Sequence, residues 1–157
     1  MELTTAHNIA NELMDEHGLW GWTFTFDNAK SRFGVCRFGT QTISLSRPLT
    51  EINDEEQVRD TILHEIAHAL AGHEAGHGPR WRRVAASIGA RPERCVDAAT
   101  INTPKSAWTG SCPACDFTVG RHRLTDAAKR GACPKCCDRY NGGRFTEIYR
   151  LQWQRTT

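Results

Sequence analysis

His64-Glu65-Ile66-Ala67-His68 places two imidazoles four residues apart with a carboxylate beside the first. On a helix this spacing brings both rings to one face, one turn apart, where both can reach the same metal ion. The pattern reads H-E-x-x-H, in which the Glu faces a water held next to the metal. The surrounding residues are phased to match. Counting about 100° per residue from His64, His68 falls near 40° and Glu65 near 100°. Val58, Ile62, Leu63, Ile66, Ala67, Ala69 and Leu70 all fall between about 120° and 300°. One side is apolar and the other carries the chemistry. Asn53 and Glu56 have the spacing of a capping box, so the helix is expected to start near Asp54 and to stop at Gly72.

The flanking segments supply a core. Ile9, Leu13 and Met14 recur at helical spacing over residues 4–17, with Gly18 as the stop. Residues 19–26 alternate through Trp22, Phe24 and Phe26, a strand pattern with one buried face. Residues 31–37 and 41–46 read as two further strands joined through Gly39-Thr40 in a hairpin, and Pro48 ends the sheet region. After the glycine-rich loop at 72–78, Pro79 suits the first turn of a helix whose buried stripe is Trp81, Val84, Ala85 and Ile88. Residues 91–106 have little periodicity and read as a connector.

The C-terminal part differs in kind. Cys112-Pro113-Ala114-Cys115 is followed, after 17 residues, by Cys133-Pro134-Lys135-Cys136. Two C-x-x-C knuckles among short strand-like pieces (residues 107–111, 117–123 and 144–153) are the layout of a zinc ribbon, with Cys112, Cys115, Cys133 and Cys136 on one structural zinc. Cys136 suits that site better than its neighbour Cys137 because it keeps the spacing symmetric. Cys36 and Cys95 read as small buried residues, and His7, His17 and His122 as surface residues.

Composition narrows the class. The chain has 157 residues, 39% hydrophobic and 24% charged, which suits a globular protein of one domain or a domain plus a small module. No apolar run is long enough to span a bilayer, and residues 1–5 do not resemble a secretory leader, so a cytoplasmic location with no membrane partner is expected. Charge is divided unevenly. Residues 1–104 carry 10 Lys/Arg against 14 Asp/Glu, and residues 105–157 carry 10 against 4, giving −4 and +6. A polyanion would therefore meet the C-terminal part, where Arg121, Arg123, Lys129, Arg130, Arg139 and Arg144 lie near Phe117, His122, Tyr140 and Phe145.

The helix needs a third metal ligand, for which His77 and His73 are the nearby histidines. Position 74 is Glu, so the H-E-x-x-H-x-x-G-x-x-H pattern fails, and Glu93 as a carboxylate ligand lies beyond a helix end. Taken together, residues 61–70, His77-Gly78-Pro79-Arg80-Trp81, the Trp22-x-Phe24-x-Phe26-x-Asn28-Ala29 strand, Gly34-x-Cys36 and Ile43-x-Leu45-Ser46 resemble the SprT-like zinc metalloproteases, the family that includes Spartan. The resemblance covers about residues 3–140. It implies an α+β fold with a zincin-like metalloprotease core over 1–104 and a small β-rich zinc ribbon over 105–157. It implies a catalytic zinc on His64, His68 and His77, with His73 the rival for the third place, and Glu65 as general base. The activity it implies is metallopeptidase hydrolysis of a protein substrate by a zinc-activated water, with DNA-associated proteins as the expected target, in a monomer holding one catalytic and one structural Zn2+. Two other readings stay open: a nucleic-acid-binding zinc-ribbon protein with an inactive protease-like fold, and a zinc hydrolase of non-peptide bonds.

Overall fold

The structure is a computed structural model that describes residues 1–93 and 101–156. Part of the expected connector, with Cys95, lies outside the described residues. The chain divides into two compact units, Met1–Pro104 and Lys105–Thr157.

In the first unit, helix α1 (Leu3–Glu16) buries Ala6, Ala10, Leu13 and Met14. Ile9, expected on that face, only borders the core, and the two alanines take its place. Strand β1 (Thr23–Asp27) starts later than the aromatic alternation suggested, because Leu19 to Trp22 close a turn in which Trp22 N–H donates to Leu19 O at 2.9 Å. Strands β2 (Gly34–Arg37) and β3 (Thr42–Ser46) form the expected antiparallel hairpin, and β3 also pairs in parallel with β1. The order is β1-β3-β2, so β3 is central and β2 is an edge strand. Ile43, Ser44, Leu45 and Ser46 of β3 are all fully buried.

Pro48 does not simply end the sheet. It sits in the first turn of α2 (Arg47–Ile52), where its fixed φ and missing N–H cost nothing. Helix α3 (Glu55–Ala71) is capped by Asp54, whose carboxylate accepts from Gln57 N–H at 2.9 Å. Asn53, expected as the cap, is instead buried. It donates to Leu49 O and Asn102 O and accepts from Asn102 N–H, tying residue 102 to the end of α2. The apolar side of α3 is buried at Val58, Ile62, Leu63, Ile66 and Ala67, but Leu70 is exposed. Gly72 ends the helix at φ +89°, a conformation side chains resist. Helix α4 (Pro79–Ser87) buries Trp81 and Ala85.

Asp27, at the end of β1, is a polar hub. It accepts hydrogen bonds from Arg32, Ser44 Oγ and Ala29 N–H at 2.7, 2.9 and 2.9 Å. Burial alone would raise its pKa, but these hydrogen bonds prevail and bring it to about 2. A depressed folded pKa contributes stability above the unfolded value near 3.8, lost as pH falls toward 2. Asp27→Asn is therefore expected to destabilise the fold by about 1 kcal/mol at pH 7, after allowance for solvent screening. In chemical denaturation the gap to the unsubstituted chain should close between pH 4 and pH 2. A gap of constant size across that range would assign the cost to packing instead.

The second unit has its own sheet of β4 (Trp108–Ser111), β5 (Thr118–Arg121) and β6 (Gln152–Arg155), antiparallel in the order β5-β4-β6. Two short helices, α5 (Asp126–Lys129) and α6 (Pro134–Asn141), were not expected from the sequence. The strand expected over 144–153 forms only from Gln152. Before it, Thr146 accepts from Ile148 N–H and starts a 3-10 turn, Glu147–Tyr149. The buried cluster here is Cys112, Cys133, Cys136 and Leu151. Three of its four members are thiols, too little apolar surface to hold a unit this small. The α+β expectation holds in both units. Among the described residues no helix is long and apolar enough to cross a membrane.

Candidate metal centres

Helix α3 presents His64 and His68 from successive turns, and the loop from Gly72 to Gly78 returns His77 to meet them. His77 Nε2 lies 3.1 Å from His64 Nε2 and 3.1 Å from His68 Nε2. In a tetrahedral zinc site with Zn–N bonds of ~2.0–2.1 Å, ligand nitrogens sit about 3.3 Å apart. The donor set therefore fits zinc. No placement of ring protons lets three converging nitrogens satisfy one another, whereas one cation satisfies all three lone pairs. Burial first, then the neighbouring imidazoles, lowers the pKa of both His64 and His68 to about 4. Neutral rings are the form that ligates metal.

His73, the rival third ligand, is not in the cluster. Its ring meets Phe38 edge-on at 5.4 Å, and Phe38 meets Trp22 at 5.8 Å. An aromatic row thus ties the 3-10 turn Phe38–Thr40 to the metal loop. Glu93 is likewise outside the cluster.

Trp81 is fully buried behind the three imidazoles. Its ring centroid lies 4.7, 5.3 and 4.7 Å from those of His64, His68 and His77. It was expected in the core stripe of α4, and it is there, but it also fixes the ring planes of the whole donor set. The sequence shows only that Trp81 follows His77 by four residues, not that it touches the donor set.

Glu65, about 100° further round α3 than His64, rests its side chain against β2 at Gly34. It is 7% exposed, so its carboxylate is almost dry. Burial pushes its pKa up to about 7, opposed by the Arg32 charge and by a hydrogen bond from Cys36 N–H. The Cys36 thiol is itself pushed up to about 12, by burial and by the Glu65 charge.

In the second unit, Cys112, Cys115, Cys133 and Cys136 converge. Cys112 Sγ lies 3.8 Å from Cys136 Sγ, and Cys115 Sγ lies 3.7 Å from Cys133 Sγ. Zn–S bonds of ~2.3 Å put tetrahedral sulfurs about 3.8 Å apart, whereas a disulfide needs about 2.05 Å. These thiols fit a zinc site and form no disulfide. Cys137 is buried but outside the cluster.

The basic residues of this unit are exposed. Lys129 pairs with Asp126 at 3.0 Å, and Arg139 lies over the Tyr140 ring at 5.3 Å. Arg121, Arg123, Arg130 and Arg144 make no ion pair among the described residues. Tyr140 and Phe145 are exposed, but Phe117 packs on the thiol cluster. His122, expected at the surface, is half-buried.

Comparison with known proteins follows the same lines. Protein SprT of Pseudomonas putida is 27% identical over 113 residues, covering 66% of this chain and 69% of its own. Protein SprT of Pseudomonas savastanoi pv. phaseolicola is 25% identical over 122 residues, covering 71% and 74%. The crystal structure of the metallopeptidase zymogen of Methanocaldococcus jannaschii jannalysin aligns with a TM-score of 0.47 at 23% identity, over 52% of this chain and 79% of that one. The SprT-like family model matches residues 5–102, a span that holds α3, His77 and Trp81 together, and the chain belongs to the SprT-like family.

Proposed function

We propose that this chain is a zinc-dependent endopeptidase that cuts DNA-associated proteins in the cytoplasm. The observation that carries the reading is the convergence of three imidazole nitrogens, His77 Nε2 standing 3.1 Å from each of the other two, with a buried carboxylate on the same helix. A zinc ion bound there supplies a Lewis acid and brings the pKa of a water in its open position toward ~7. His64, His68 and His77 hold the ligand geometry, and Trp81 keeps their planes fixed. Glu65 accepts the water's proton on its carboxylate and later returns it to the leaving amine. Its burial favours the protonated form, which helps it hold the proton between the two transfers. The four ribbon thiols hold a second, structural zinc, giving two ions per chain. Six described cysteines without a disulfide suit a reducing compartment.

The unpaired arginines of the ribbon support the DNA half of the proposal, and they also favour a second reading, a nucleic-acid-binding protein with an inactive protease-like unit. One experiment separates the two. The purified chain is incubated with a loosely folded basic protein, with and without single-stranded DNA, chelator and added zinc. The expected result is cleavage that DNA stimulates, chelator stops and zinc restores. DNA binding that weakens with salt but is never accompanied by cleavage would establish the second reading instead.

A further inference from the structure

Gly34 is the first residue of β2, paired with Leu45 across the ladder. Glycine costs stability in a strand unless something requires it. The backbone does not require it here, because Gly34 is not among the residues with positive φ. What requires it is Glu65. A Cβ at position 34 would lie 2.6 Å from Glu65 Oε1, 2.8 Å from its Cγ and 3.0 Å from its Cδ. Ordinary contacts between such atoms are about 3.5–4.0 Å. The whole end of the Glu65 side chain thus rests against bare backbone. Two residues on, the Cys36 N–H is close enough to the same carboxylate to favour its charged form. β2 is an edge strand, so this N–H is free of any further strand and available to a side chain.

We propose that Gly34 is a positioning residue for Glu65: its missing side chain and the Cys36 N–H together form a seat that sets where the carboxylate stands. This rests on the peptidase reading above, in which Glu65 is the general base. A methyl group at 34 fills the seat and drives the carboxylate out, while the histidines, held by α3, the metal loop and Trp81, stay in place. Misplacement of a catalytic group by about 1 Å can cost around 100-fold in rate.

The test is a double-mutant cycle in the full chain. Gly34→Ala is expected to lower kcat about 100-fold, with KM within about twofold and zinc content unchanged. Glu65→Asp is one methylene shorter and removes the closest of the three contacts, that to Oε1, while a carboxyl carbon stays where Glu65 Cγ stood. In that background the further loss from Gly34→Ala should shrink to about tenfold. A general weakening of the strand would cost the same in both backgrounds. A second arm needs no activity. In the metal-free chain, Gly34→Ala should lower the melting temperature of the Met1–Pro104 unit by roughly 5 °C, and by under about 1 °C when Glu65 is already Ala. If Gly34→Ala does not fold, recovery of folding by Glu65→Ala takes the place of that comparison. Equal losses in both backgrounds, or an unchanged kcat, overturn the proposal. If the unsubstituted chain cleaves nothing, the peptidase reading has failed, and the melting arm alone decides whether Gly34 seats Glu65.

Discussion

Glu65→Gln is expected to keep the full zinc content and to lower kcat/KM by about 10³–10⁴-fold. The amide has the same shape as the carboxylate and can still accept from Cys36 N–H, so the seat on β2 stays filled. Its oxygen is far too weak a base to take the water's proton. The three histidines are untouched, so metal binding survives. Stability should move in the opposite direction to activity. A carboxyl whose folded pKa is raised contributes stability below its unfolded value near 4.5, and loses it as pH rises through about 7. Glutamine has no charge to bury, so the metal-free variant should melt at or above the unsubstituted chain at pH 8. Zinc analysis, peptide release and melting on one preparation check all three statements. Retention of even a tenth of the rate would remove Glu65 from the proton transfer.

Cys133→Ser is expected to unfold the Lys105–Thr157 unit. Cys133 is fully buried, its Sγ lies 3.7 Å from Cys115 Sγ, and it stands just before α6, which carries Cys136 in its first turn. Serine keeps the backbone N–H that donates to Tyr149 O and suits a helix start, so what the substitution removes is the metal ligand. With only Leu151 beside three thiols in the buried cluster, the apolar core contributes little. Binding of structural zinc is worth about 10–16 kcal/mol in small metal-dependent modules, and that energy is folding energy. Zinc should fall from two ions per chain to one, and proteolysis should concentrate in residues 105–157. Cys137→Ser, at a buried cysteine outside the cluster, should do neither. A Cys133→Ser chain that keeps both ions would contradict the four-thiol assignment.

The histidine-bearing face was legible in sequence because helical periodicity is local. His64 and His68 sit where a 3.6-residue repeat puts them, and the burial of Val58, Ile62 and Ile66 follows from the same repeat. The C-x-x-C pairs were legible because zinc knuckles are short. Contacts between segments distant in sequence were not. Nothing near Glu65 announces that Gly34 and Cys36 will stand against it, since that depends on the pairing of β2 with β3. Trp81 read as one more core aromatic, and only the fold shows it touching all three imidazoles. Local errors had local causes. Asn53 and Asp54 are both good caps, and Asn53 was drawn away by Leu49 and Asn102. Pro48 can end one element or begin the next, and here it begins α2.

The Cys36 thiol, pushed up to about 12 beside Glu65, has a consequence for the chemistry around the general base. A thiol is a soft donor that competes for zinc, and a target for oxidants, only in its ionised form. With that pKa, roughly one Cys36 in 10⁵ is ionised at neutral pH. Burial is the larger cause of that shift, and the Glu65 charge adds to it. A thiol held neutral beside the general base leaves metal binding to the imidazoles and reacts slowly with oxidants.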